Sequence, residues 1–111
     1  MTQRNARKRD EIKRAELKQE TAADDLRWVL SDPRGRRFMW ALLGECGLYA
    51  NTFATNFGVS SFNAGRQSVA QSLLLRITGD APDLYLDMQA EAIERDRLEA
   101  MRTSNDEETD E

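Results

Sequence analysis

Arg34, Arg36 and Arg37 crowd into four positions directly after Asp32–Pro33, in the stretch SDPRGRRFMW. Asp followed by Pro is a helix start: the carboxylate caps free backbone N–H groups, and proline's missing N–H costs nothing in a first turn. Cations in that turn oppose the helix dipole. These arginines therefore need an anion, either nucleic-acid phosphate or a carboxylate of the protein itself. Arg66 raises the same question from inside an apolar helical stripe, where it follows Gly65 as Arg36 follows Gly35. A guanidinium on a core-facing surface must be paired, by a bidentate carboxylate or by carbonyls at a helix end. Structural pairing is the preferred reading for Arg36, Arg37 and Arg66, with Asp24, Asp25 and Asp32 the expected carboxylates. The phosphate reading would use Arg34 and, nonspecifically, Arg4, Arg7, Lys8 and Arg9.

Other reactive residues form no constellation. Histidine is absent, which removes the commonest general base and zinc ligand. Cys46 is the single cysteine, so neither an internal disulfide nor a cysteine metal cluster is available. Asp24 and Asp25 are adjacent, but helical neighbours point about 100° apart and do not share an acid/base site. Ser60 and Ser61 lack a histidine base, and GLYANTFATNFG has neither the P-loop nor the dinucleotide spacing. The expectation is a protein without catalytic, cofactor or metal residues.

The elements that position the arginines read as helices throughout, with no strand-like alternation. A short leading helix starts at Thr21 or Asp24. Asp32–Pro33 opens a second, stopped near Gly47, with Gly35, Phe38, Met39, Leu42 and Cys46 on its core face. Gly35 on that face implies close backbone approach, and Gly65 is the matching glycine of the third helix. That third helix is capped by Ser60 or Ser61 and ended by Gly79, with Phe62, Val69, Ala70, Leu73 and Ile77 as its stripe. Between them, residues 47–60 suggest an ordered loop packing its aromatic rings inward. Asp80 and Pro82 open a fourth helix reaching about Met101, with Leu84, Tyr85 and Met88 facing in. The fold class expected is all-α: a small bundle of three principal helices plus a short leading helix. Its core is expected to hold Leu26, Val29, Leu30, Phe38, Leu42, Phe62, Val69, Leu73, Ile77, Leu84 and Met88.

The 111 residues carry a formal net charge of -4, unevenly spread. Residues 1–23 hold 7 basic and 4 acidic groups, net +3, whereas residues 103–111 hold 5 acids and no base. The organisation expected is a charged arm over 1–20, a helical domain over 21–102 and an acidic disordered tail over 103–111. The arm has few apolar groups, Ile12 and Leu17, and reads as a frayed, solvated helix. No apolar run approaches the 18 or so residues of a membrane span, so no membrane partner is expected.

Two blocks carry a resemblance. The first holds Asp25, Val29, Leu30, Gly35, Arg36, Arg37, Phe38, Leu42 and Leu43; the second holds Phe62, Gly65, Arg66, Leu73 and Leu74. Over roughly residues 24–92 the chain resembles a family of small proteins of tailed bacteriophages, mainly short-tailed ones, although Ser68 stands where members tend to carry Asn. The resemblance implies a gene of the head, portal and packaging region. It implies a non-enzymatic virion or virion-assembly protein acting through contacts with head or portal proteins, with self-association open. The alternative is a DNA-associated accessory factor in genome packaging or ejection. The implied location is the host cytoplasm during assembly, with retention in the virion left open.

Overall fold

The computed structural model describes residues 2–49 and 56–109, and these form an all-α bundle of four helices. They are α1 (Gln3–Leu30), α2 (Pro33–Glu45), α3 (Phe57–Asp80) and α4 (Pro82–Thr109). The first helix is far longer than the short leading helix expected from Thr21. No glycine or proline interrupts residues 3–30, and Ala, Arg, Lys and Glu dominate them, so nothing stops propagation toward the N-terminus. Every described residue from 2 to 21 is nonetheless exposed. The arm is a helical extension exposed along its length.

Local chemistry sets the other boundaries. The Asp32 side chain accepts the Arg34 N–H and Pro33 takes the first helical position of α2. The helix stops in a Schellman arrangement: the Gly47 N–H donates to the Gly44 carbonyl, and Leu48 N–H to that of Leu43. Gly47, at φ 74°, supplies the left-handed residue this stop requires, and Leu48 folds back against the core. Asn56, rather than Ser60 or Ser61, caps α3, its side chain accepting the Val59 N–H. Gly79 does not end that helix, which runs on to Asp80 because the first true breaker is Pro82. A single buried residue, Ala81, joins α3 to α4.

The helix α2 runs antiparallel to α4, Arg36 lying against Glu91 and Leu48 near Tyr85, and it also packs on α1 and α3. The core consists of Leu26, Leu30, Met39, Leu43, Ala70, Ile77, Ala81 and Met88, with Leu42, Leu73 and Leu84 half-buried beside it. Four residues expected inside are outside: Val29, Phe38, Phe62 and Val69 are all exposed. The buried stripe of α2 runs through Met39 and Leu43, and that of α3 through Ala70 and Ile77. Both are turned away from the large aromatics that suggested the faces. In the expected ring-packed loop, Leu48 does pack inward, Tyr49 is exposed, and Phe53 lies outside the described residues.

The molecule is long and flat, 83 × 39 × 15 Å, with a radius of gyration of 20.7 Å. A compact chain of this length would have about 13 Å. Two 28-residue helices laid end to end span about 84 Å at 1.5 Å per residue. The long axis is thus α1 and α4 projecting in opposite directions from a small central body.

The rotated stripe of α3 has a direct stability test in urea unfolding. Ile77→Val is expected to cost about 0.5–1.5 kcal/mol, whereas Val69→Ala, at an exposed site, should stay within about 0.5 kcal/mol of the parent.

Candidate functional site

The arginines mark the places where helices are tied together. Arg36, in the first turn of α2, has a side chain only 13 % exposed. Its Nε and Nη2 donate to the two carboxylate oxygens of Glu91 on α4, at 2.5 and 3.3 Å. Its Nη1 donates to the Leu30 carbonyl at 2.9 Å, one of the carbonyls that the end of α1 leaves without a helical partner. One guanidinium therefore joins three helices. Its pKa is raised, first by the Glu91 hydrogen bond, against a lowering from burial.

Gly35 makes that junction possible. A Cβ there would sit 1.9 Å from the Val29 carbonyl oxygen and 2.9 Å from its carbon. The first turn of α2 thus lies directly against the last turn of α1, backbone to backbone. Gly65 has no such duty: it is exposed, and a Cβ there would meet nothing within 4 Å. Its reading as a close-packing glycine fails because that face of α3 is turned to solvent.

The remaining candidates separate in the same way. Arg34 is answered locally, bonding the Asp32 carboxylate that also caps its helix, so the cap itself offsets the unfavourable cation. Arg37 is exposed and forms no ion pair among the described residues. Arg66 is exposed, not buried, and among the described residues no carboxylate meets it. Its Nη1 donates to the Glu45 carbonyl at the end of α2 (3.2 Å), its Nη2 reaches Asn63 Oδ1, and its guanidinium lies 5.3 Å from the Phe62 ring centre. Of the two partner types foreseen for it, the structure uses helix-end carbonyls, where a cation also complements the dipole. Asp24 and Asp25 are exposed and hold none of the three arginines; Asp24 only adds attraction for Arg27. Arg4, Arg7, Lys8 and Arg9 are exposed on the arm.

Three partners were not foreseen. Glu91 holds Arg36. Arg27 makes a bidentate bridge to Asp83, both contacts at 3.0 Å, and also donates to the Asp80 carbonyl, pinning α1 to the α3–α4 corner. Gln67, next to Arg66, donates its side-chain N–H to the Gly47 and Leu48 carbonyls, so α3 secures the whole stop of α2. None of these pairs lies within a helical turn of its partner, which is the only spacing a sequence pattern displays.

Chemically the arrangement holds backbones together. Among the described residues no group of His, Cys, Asp or Glu could hold a metal ion. An apolar hollow of about 90 Å³ lies between Trp40, Leu43, Leu48 and Tyr85. Burial pushes the Tyr85 hydroxyl upward there, and hydrogen bonding with Tyr49 adds to the shift.

Fold and junction together define a small, elongated all-α protein whose helix ends are tied by arginine forks. Residues 26–90 match the family model of the Bbp19-like phage protein, and the chain belongs to this bacteriophage protein family. The match starts at Leu26, the first buried residue of α1, and ends one residue before Glu91. No curated protein and no solved structure shows a significant match to the chain.

Two outcomes test the junction. Arg36→Ala leaves the Glu91 carboxylate and the Leu30 carbonyl without this donor. The cost is about 2–3 kcal/mol, below the fully buried limit because Glu91 is partly solvated. Gly35→Ala should cost at least as much, whereas Arg66→Ala should cost about 0.5–1 kcal/mol; chemical denaturation separates the three. The second outcome concerns pH. Hydrogen bonds from Arg34 hold Asp32, and those from Arg27 hold Asp83, below the ordinary aspartate range. The unfolded chain then binds protons more readily, so both groups stabilise the fold above about pH 4 and lose that effect as pH falls further. Melting temperature should drop below that pH, and Asp32→Asn, which keeps the cap but cannot ionise, should flatten the drop.

Proposed function

We propose that the chain is a non-enzymatic component of a short-tailed bacteriophage particle or of its assembly, working in the head or portal region through protein–protein contacts. The observation that carries this reading is the balance of its apolar surface. Six large apolar side chains are buried (Leu26, Leu30, Met39, Leu43, Ile77 and Met88), whereas fourteen among the described residues are exposed, Trp28 at 78 % and Phe38 at 67 % among them. Single exposed apolar residues are ordinary. Here they recur at helical spacing, Phe62 with Val69 on α3 and Leu86 with Ile93 on α4, each pair on one face two turns apart. Repeated apolar faces of this kind mark surfaces that a partner covers. Membership in a phage family makes other particle proteins the natural source of that partner.

A second reading, a DNA-associated accessory factor in packaging or ejection, draws on the exposed bases of the arm. The net charge of -4 and the five tail acids weigh against it, since they repel a polyanion.

Mass spectrometry of purified, nuclease-treated particles tests the first reading. The protein is expected at a defined copy number in mature or precursor particles, or bound to a head or portal protein in infected-cell extracts. Its absence from all of these, together with salt-sensitive retention on DNA, would move the assignment to the second reading.

A further inference from the structure

We propose that the outer face of α4 is a self-association surface, on which α4 of a second copy of this chain lies antiparallel across a two-fold axis. This contact rests on the reading of the chain as an assembly protein and names the partner of one exposed face.

A helix at the surface of a small bundle needs one apolar stripe, toward the core, and a polar back. Helix α4 has two apolar stripes on opposite sides. The inner one, Leu84, Met88 and Ala92, is buried or half-buried against the body. The outer one runs through Leu86, Ala90, Ile93, Arg97 and Ala100, all of them exposed, with Leu86 and Ile93 each at 63 %. Successive members are four and three residues apart in alternation, the spacing of a coiled-coil seam. A narrow seam of that kind is shaped to receive another helix.

The seam is complementary to itself when two copies run antiparallel. With the axis between Ala90 and Ile93, Ile93 of each copy lies over Ala90 of the other, a large side chain over a small one. Leu86 then meets Arg97, whose aliphatic stem offers apolar surface while the guanidinium reaches the edge of the contact. The edge it takes is already set, because Arg97 bonds Glu94 through Nε and Nη2. Asp87 stands seven positions before Glu94, two turns away on the same edge. A two-fold axis across antiparallel helices keeps that edge on one side in both copies, so Asp87 of the second copy comes beside Arg97. Asp87 is exposed and forms no salt bridge among the described residues; its charge acts on Arg36 from a distance. The register that interleaves the apolar side chains thus gives Arg97 a second carboxylate, twice over by symmetry. Parallel alignment would instead set Asp87 against Asp87 and Glu94 against Glu94.

The chain has surface to spare for this contact. It exposes 8977 Å², whereas a compact protein of 12.7 kDa exposes about 6,200 Å². The surplus is more than three times the roughly 800 Å² that each partner gives to a standard interface. A seam of about four turns uses only part of that surplus, so the dimer should be reversible. Both copies use the same patch, and the contact therefore closes at two.

Sedimentation equilibrium on the full chain is the test. The mass should rise with concentration from 12.7 kDa toward twice that value and no further. Ile93→Glu puts a carboxylate into the middle of the seam in both copies and should weaken dimerisation at least about tenfold. Leu75→Glu, at a comparably exposed apolar site on α3 (73 %), should leave it unchanged. Asp87→Arg and Arg97→Asp each turn two attractions into two repulsions, and each should weaken it about fivefold. Both changes in one chain, or an equal mixture of the two single variants, should restore it, because every arginine then faces an aspartate again. Circular dichroism checks that all the variants stay helical. A mass of 12.7 kDa at every concentration up to about 1 mM overturns the proposal. So do dimerisation that Ile93→Glu spares, failure of the paired reversals to recover, and a mass that climbs past the dimer. Particle mass spectrometry bears on the phage role separately, so failure of one reading is distinguishable from failure of the other.

Discussion

One guanidinium sets the geometry of this fold. Arg36, in the first turn of α2, takes a carboxylate of α4 as its counter-charge and donates a hydrogen bond to the last carbonyl of α1. Its neighbour Gly35 brings the α1 and α2 backbones into direct contact. Remove the fork, and the end of α1 has a stranded carbonyl beside a carboxylate without its cation. Remove the glycine's open space, and the turn between α1 and α2 must spread. Apolar burial drives the helices together, as in any small bundle, but a core of few large side chains leaves their angles loosely determined. The polar ties at Arg36, Arg27 and Arg66 supply that determination.

The parts legible in the sequence are those whose signals are local. Asp32–Pro33 marks a start and Gly47 a stop because caps act within a few residues, and Leu26, Leu30, Ile77 and Met88 sit at helical spacing on faces that are buried. On α2 and α3 the stripes hold for Met39, Leu42, Cys46, Ala70, Leu73 and Ile77 but not for Phe38, Phe62 and Val69, which weigh heavily in any apolar average and yet are exposed. An apolar stripe reports what must be covered, not by what. Where a partner covers one face and the chain covers another, the two stripes merge in the sequence and only a structure separates them.

Partners of the arginines were legible only in kind. Arg36 needed an acceptor, and the spacing of motifs could not show that Glu91, 55 positions onward, provides it. Arg66 finds a backbone carbonyl, and carbonyls leave no trace in a sequence because every residue has one. The length of α1 leaves a weak trace for a related reason. Propensity summed over residues 3–20 favours a helix, but they carry no apolar face to mark its packing, and in the structure they are helical and exposed.

The helical form of that extension gives the chain a way to measure. In a disordered arm, residue number and position are only loosely related. In a helix each residue adds 1.5 Å and turns the next side chain by 100°, so length and azimuth change together. Deleting a single residue between Leu17 and Leu26 would draw the exposed bases of the arm inward by about 1.5 Å, yet swing them past a right angle. Deleting seven would shorten the reach by about 10 Å and leave them close to their original direction. A helix with no glycine or proline between Gln3 and Leu30 is in this sense a graduated rod. Insertions and deletions within it redirect the exposed side chains of the arm according to their remainder after whole turns, not their size.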